Sequence, residues 1–208
     1  MIAGRSTRRE LVSAGFGAAM GGTFAGAGVV SGLVSPGVAR AASAPAGGDA
    51  GVLSRTLSVE QLVVFSYQRV LASGPLKSTV AAALGGLLTQ ELRHVSELER
   101  DLRTIHGSIP SPPRDVATAQ RALATHHVTR SLTRLRTQHD CLKLLIDVES
   151  VAEGAYFAAI GTLGDAGRVR TALGIMGCEA QHWTILSGLL NRYNVVRSVP
   201  YPFVAGAG

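Results

Sequence analysis

The segment VEQLVVFSY, residues 59–67, places one carboxylate, Glu60, in a largely apolar run. On a helix, spacings of three, four and seven residues put Glu60 on the same face as Leu57, Val64 and Tyr67. That face is expected to lie in the core, where an ionised carboxylate is costly unless something compensates its charge. The rest of the chain must therefore supply a partner for Glu60.

The pattern of this segment occurs twice. VESVAEGAY, residues 148–156, again has a Glu followed by a Tyr seven residues later. Each segment is followed by a Glu-x-x-His motif, ELRH at residues 91–94 and EAQH at residues 179–182. In both halves this motif begins about thirty residues after the first Glu, so the chain contains an internal repeat.

Hydrophobic periodicity predicts an all-α fold without strands. Four main helices are expected, at about 58–72, 78–105, 131–163 and 168–193, with a short helix or turn within 114–127. Short connections make the first two and the last two helices antiparallel hairpins, and the longer stretch between the pairs can traverse a bundle. The prediction is a four-helix bundle with one long crossover between helices 2 and 3.

The domain boundaries follow from composition. The bundle is assigned to residues 55–193, preceded by a flexible linker at 42–54 that is rich in Ala, Gly and Ser, and followed by a tail at 194–208. Residues 1–41 contain the twin arginines Arg8 and Arg9, a long uncharged stretch and small residues before a cleavage point ahead of Ala42.

The N-terminal segment resembles a twin-arginine export signal. The resemblance implies an exported protein of the cell envelope, periplasm or extracellular space. An ordinary secretory signal and an uncleaved membrane anchor are the alternatives. No second segment is long and apolar enough to span a bilayer, so membrane contact is expected through this segment alone.

The net charge of +6 does not indicate nucleic-acid binding. Half of it lies in residues 1–41, and the arginines of the remainder are interspersed with acids. No nucleic-acid partner is therefore expected.

Two cysteines, Cys141 and Cys178, do not make a disulfide scaffold, and their spacing on the predicted helices places them too far apart to bridge.

The polar residues of the repeat all lie on apolar helix stripes. If the hairpins are antiparallel, four carboxylates and two imidazoles point into one small interior volume. Like charges cannot remain together in a dry core, but a pair of divalent cations cancels them. Oxygen-rich ligation with one imidazole per metal suits iron or manganese better than a tetrahedral zinc site.

One Glu from each of two helices, with Glu-x-x-His from each of the other two, resembles the ferritin-like di-iron carboxylate family of ferritins and rubrerythrins. The resemblance covers residues 55–193 and implies two bound iron ions, with manganese as the alternative metal. It implies terminal ligands Glu60 and Glu149, bridging ligands Glu91 and Glu179, and one histidine per metal, His94 and His182.

Three further residues are expected beside the ligands. By the same resemblance, Tyr67 and Tyr156 hydrogen-bond ligand carboxylates or their neighbours. Glu153, one turn after Glu149, is expected near the ligands or partly in solvent rather than as a ligand, because an extra ligand on this helix is usually three residues away.

The resemblance implies an oxidase, ferroxidase or peroxide-scavenging activity, with dioxygen or hydrogen peroxide as oxidant. Substrate oxygenation and manganese-catalase activity use similar ligands and stay open. The electron donor is unidentified, because the chain has no rubredoxin-like cysteine cluster. A different class of function is a non-catalytic envelope protein, with an empty or structural site, that acts in binding or assembly. A homodimer is left open.

Overall fold

The computed structural model describes residues 48–192, Asn194 and Ser198, and every regular element of this part of the chain is helical. The helices are α1 (Gly48–Ala72), α2 (Ser78–Thr104), α3 (Val116–Thr125), α4 (Gln138–Ile160) and α5 (Ala166–Leu190). The all-α prediction is confirmed. The predicted signal at 1–41, the first part of the predicted linker and nearly all of the tail lie outside the described residues.

The four long helices form the predicted bundle. Helix α1 packs on both α2 and α4, α4 packs on α5, and α2 approaches α5 at fewer positions. Two hydrogen bonds show that α4 runs antiparallel to α1. At one end, the backbone N–H of Lys77 donates to Gln138 Oε1 at 3.1 Å. At the other end, the backbone N–H of Gly164 donates to Asp49 Oδ1 at 2.8 Å.

The segment between α2 and α4 is the long crossover. Gly107, just after α2, lies beside Ala50 at the beginning of α1, whereas α4 begins near the end of α1, so this segment runs the length of the bundle. Its helix α3 packs on α1 and buries Ala119 and Leu123 completely. The predicted short helix within 114–127 is thereby confirmed.

The described residues form an apolar core of two clusters, one toward each end of the bundle. One includes Val63, Leu84 and Leu145, and the other includes Leu57 and Leu98. The charged residues of the repeat lie between these clusters along their helices. Within the described residues, every helix falls short of the length and hydrophobicity that crossing a membrane requires.

The linker prediction is wrong at residues 48–54, because these residues form the first two turns of α1. Val52 and Leu53 are buried in the core. Asp49 stabilises this end of the helix because it accepts the backbone N–H groups of Gly164 and Asp165 and pairs with Arg168 at 2.9 Å. The prediction failed because the small residues of this segment are typical of a linker, whereas the contacts of Asp49 are made with residues far away in the sequence.

The predicted third helix begins seven residues too early, because α4 starts at Gln138 and not at residue 131. Thr137 and Asp140 form a capping box there, in which each side chain accepts the other residue's backbone N–H. Helix α4 also ends at Ile160 instead of 163. Helix α5 spans Ala166–Leu190 instead of 168–193, with Asp165 as its N-cap. Cys141 and Cys178 are both free thiols.

Candidate metal centre

Six side chains from four helices meet at the middle of the bundle, between the two apolar clusters. All four carboxylates are completely buried, and the two imidazoles are nearly so. They come from α1, α2, α4 and α5 and are Glu60, Glu91, His94, Glu149, Glu179 and His182. The structure thus brings together every residue that the sequence placed in the ligand set.

The six residues form two overlapping groups of donor atoms. Glu60 and His94 make one group with Glu91 and Glu179, and within it the donor atoms lie within 4.8 Å of one another. Glu149 and His182 make the second group with the same two glutamates, within the same limit. Glu91 and Glu179 are common to both groups, which is the arrangement that two bridging carboxylates require.

The histidines face these shared carboxylates through Nδ1. Nδ1 of His94 lies 2.8 Å from Glu179 Oε1 and 3.3 Å from Glu91 Oε2. Nδ1 of His182 lies 2.5 Å from Glu91 Oε1 and 3.6 Å from Glu179 Oε2. Each histidine is therefore nearest to the carboxylate of the opposite motif. The two imidazole rings stack with their centroids 5.9 Å apart.

The two tyrosines of the repeat connect α1 and α4. The hydroxyl of Tyr67 donates to Oε1 of Glu149, and the hydroxyl of Tyr156 donates to Oε1 of Glu60 at 2.5 Å. Both rings are fully buried, and burial raises the pKa of both phenols. The tyrosines therefore stay neutral donors at physiological pH and fix one oxygen of each outer glutamate.

Without a metal, protons compensate the carboxylates. Burial lowers the pKa of each histidine, but hydrogen bonds to Glu179 and Glu91 outweigh it, raising the pKa of His94 to about 11 and that of His182 to about 10. Burial and the neighbouring charges of Glu179 and Glu91 raise the pKa of Glu60 and of Glu149. The cluster accordingly favours protonated imidazoles and protonated outer carboxyl groups.

The central carboxylate Glu179 behaves differently. Burial raises its pKa, yet hydrogen bonds from His182 and His94 outweigh this effect and lower the pKa to about 2. Glu179 is therefore an anion between two cationic imidazoles. If a divalent cation were held by these residues, its charge would take the place of the protons on the surrounding groups.

The donor set fits a pair of metal ions. Oε2 of Glu60 and Oε2 of Glu149 are buried and have no hydrogen-bond partner among the described residues, which is costly in a closed core. Carboxylate oxygens with one imidazole nitrogen per ion match the ligands that iron and manganese prefer. The number and the type of the ligand atoms in the cluster therefore suit a dinuclear metal site.

Comparison with known families agrees with this geometry. Residues 48–192 match the family model described as "Ferritin-like domain", which covers well over half of the chain. The chain belongs to the ferritin-like domain family. No curated protein and no solved structure matches the sequence. The family match begins at the first residue of α1, seven residues before the predicted start of the bundle at residue 55.

Glu153 lies inside the ferritin-like bundle but outside both donor groups. It is only 4% exposed, which rules out the partly solvated alternative and leaves the expectation of a carboxylate beside the ligands. Burial, and then the charge of Glu179, raise its pKa to about 6. Among the described residues its Oε1 has no hydrogen-bond partner, and Glu153 is thus a fifth buried carboxyl group, in addition to the four of the cluster.

Sequence reasoning missed two residues that contact His182 from outside. Gln90 Oε1 lies 3.0 Å from His182 Nε2, and Cys178 Sγ lies 3.4 Å from the same nitrogen. A signal for both exists in the sequence. Each residue immediately precedes the Glu of a Glu-x-x-His motif. Gln90 is four residues before His94 and Cys178 is four residues before His182, so each lies on the helix face that carries the histidine of its own motif.

Proposed function

We propose that this ferritin-like protein binds two metal ions, iron ions above all, and uses the pair to reduce dioxygen or hydrogen peroxide. The activity would be that of an oxidase, a ferroxidase or a peroxide scavenger. The observation that carries the proposal is the sharing of Glu91 and Glu179 between two buried donor groups. Each group adds one further glutamate and one histidine of its own.

The charges of the ligand set support two divalent ions. Four ionised glutamates carry four negative charges, which two divalent cations balance without a net charge in the core. In this assignment Glu60 and His94 hold one ion, and Glu149 and His182 hold the other. Glu91 and Glu179 bridge the pair.

The bound pair would supply chemistry that the side chains lack: two Fe(II) ions provide the two electrons that, with two protons, convert one hydrogen peroxide molecule into two water molecules. The residues of the chain position and insulate this site. Tyr67 and Tyr156 hold the outer glutamates by one oxygen and leave the other free. The apolar clusters on both sides exclude bulk water.

The function is tested on the purified protein after anaerobic reconstitution with Fe(II). We expect two iron ions per chain, followed by near-ultraviolet ferric absorbance and consumption of oxidant when dioxygen or hydrogen peroxide is added. Fewer than one iron ion per chain would contradict the proposal. Stable iron binding without oxidation by either oxidant would instead favour a non-catalytic ferritin-like protein.

We further propose that the protein is exported through the twin-arginine pathway. The support is the sequence Arg8-Arg9 before a long uncharged stretch, and the pathway's transport of folded proteins suits a site that is loaded before export. Replacing both arginines by lysine should retain the protein in the cytoplasm, as measured by cell fractionation. Unchanged export of this variant would contradict the proposal, and an ordinary secretory signal would then explain it.

A further inference from the structure

The outer nitrogen of His182 has a defined partner. While Nδ1 faces the shared carboxylates, Nε2 lies 3.0 Å from the amide oxygen of Gln90. An amide oxygen only accepts hydrogen bonds, so Nε2 must carry the hydrogen. In the neutral imidazole that binds a metal, Nδ1 is then left with its lone pair directed at the metal position.

Cys178 orients the amide of Gln90. Its Sγ lies 3.2 Å from the same Oε1 and can donate its hydrogen there. The amide oxygen thus accepts from two groups on α5, and this contact connects α2 to α5 on the outer side of the cluster. The orientation of Gln90 is therefore determined by the neighbouring helix.

The other histidine has no such support. Within the described part of the chain, the polar contacts of His94 to other side chains are all made through Nδ1, and the His94 side chain is 10% exposed against 1% for His182. The repeat explains the difference. The position equivalent to Gln90 in the other motif is Cys178, whose Sγ contacts Gln90 and His182 instead of His94.

We propose that Gln90 is a positioning residue for His182 and makes the two metal positions unequal. By fixing the tautomer and the ring orientation of His182, it makes the position formed by Glu149 and His182 the tighter one. The inference rests on the proposed function, because it assumes that the cluster binds metal. Loss of an outer hydrogen-bond partner of a metal-binding histidine commonly lowers metal affinity by about 10–100-fold.

The test uses Co(II) as the probe, with binding to the full chain followed by calorimetry and visible absorbance. Glu60→Ala leaves only the position of Glu149 and His182 with its full donor group, and Glu149→Ala leaves only the position of Glu60 and His94. Gln90→Leu is then added to each background. We expect it to weaken Co(II) binding by about 10–100-fold in the Glu60→Ala background and to leave the Glu149→Ala background essentially unchanged.

A general structural effect of the substitution would affect both backgrounds alike. Equal weakening in the two, or no weakening in either, overturns the positioning role. Gln90→Glu, which keeps an acceptor for Nε2, should restore the affinity that Gln90→Leu removes, and failure to restore it also counts against the proposal. Helicity and Tm in a chelator provide the folding control, and Gln90 suits the test because it lies at the surface.

A second measurement avoids substitution of any ligand. In the otherwise unaltered protein, Co(II) should bind in two steps, and Gln90→Leu should weaken the tighter step alone. A single unaltered step in both proteins overturns the inequality of the positions. If the parent protein binds no Co(II) or Fe(II) at all, the proposed function fails and this inference fails with it. Normal binding by the parent with no selective effect of Gln90→Leu overturns only the inference.

Discussion

The hydroxyl of Tyr67 on α1 is hydrogen-bonded to Oε1 of Glu149 on α4. Its counterpart Tyr156 on α4 is bonded in turn to Glu60 on α1. Each half of the repeat therefore supplies the tyrosine that holds the other half's outer glutamate. These two hydrogen bonds connect α1 and α4 at the level of the carboxylate cluster and help to fix the distance between the two helices.

Removing either tyrosine hydroxyl should destabilise the metal-free protein. Tyr67→Phe deprives Oε1 of Glu149 of its buried donor, and leaving such a group unsatisfied costs about 1–3 kcal/mol of the free energy of unfolding. Tyr156→Phe is the matched variant for Glu60 and should cost a similar amount. Urea unfolding in a chelator measures both. If either variant unfolds at the same urea concentration as the parent, its hydrogen bond contributes nothing to stability.

Removal of a shared ligand and removal of an unshared ligand should have different effects on metal content. Glu91→Ala removes a donor from both groups and should abolish binding of both ions, whereas His182→Ala should reduce the content by about one ion per chain. Metal analysis after reconstitution measures this difference.

Glu97→Ala is the matched control for these ligand variants. Glu97 is a surface glutamate of the same helix as Glu91 and pairs with Arg100. Its removal should leave the metal content unchanged. A full metal content in Glu91→Ala or in His182→Ala would show that the ligand assignment is wrong.

Stability of the metal-free protein should fall as the pH rises above neutrality. In the folded state, hydrogen bonds to carboxylates overcome burial and raise the pKa of His94 to about 11 and that of His182 to about 10, from a usual value of 6.5. The stabilisation is complete below pH 6.5 and is lost as the pH rises through these folded-state values. The raised pKa values of Glu60 and Glu149 act in the same direction.

The measurement is Tm in a chelator between about pH 7 and about pH 10, the range in which the imidazoles of the unfolded chain have lost their protons while those of the folded protein still hold them. Metal-loaded protein is the control and should show a smaller fall, because the metal replaces the protons as the compensating charge. A constant or rising Tm in the chelator would contradict protonation of the cluster.

Asp49→Ala should destabilise the beginning of α1. The substitution removes the acceptor of two backbone N–H groups, those of Gly164 and Asp165, and the ion pair with Arg168, for a cost of about 1–2 kcal/mol. Thermal unfolding measures it. Asp101→Ala, on α2, is the control and should have little effect. An unchanged Tm in Asp49→Ala would mean that residues 48–54 do not depend on this contact.

The contribution of Asp49 should also depend on pH in a defined direction. The hydrogen bond from the backbone N–H of Gly164, opposed by burial and reinforced by Arg168 and Asp165, lowers the pKa of Asp49 below 3.8. The stabilisation is therefore present above pH 3.8 and is lost as the pH falls through the lower folded-state value. At sufficiently acid pH, Asp49→Ala and the parent should differ less in Tm than they do at neutral pH.

Local periodicity and spacing predicted most of the architecture. The apolar spacings predicted the four main helices, and the lengths of their connections predicted two hairpins and one crossover. The boundaries at Gly48 and Gln138 were not predictable in the same way. The α1 boundary at Gly48 depends on Asp49, whose partners lie more than a hundred residues away in the sequence. The α4 boundary at Gln138 depends on the capping box of Thr137 and Asp140, which starts the helix there although the preceding residues also fit a helical pattern.

The sequence by itself determined which six residues would meet, because carboxylates and imidazoles on apolar helix stripes have few other stable locations. Only the tertiary structure decided how they pair. The exchange of Tyr67 and Tyr156 between helices, the placement of Glu91 and Glu179 in both donor groups, and the contact of Gln90 with His182 depend on how α1 packs on α4 and how α2 approaches α5. Spacing along one helix determines the face on which a side chain lies, whereas its partner on another helix depends on the rotation and separation of the two helices.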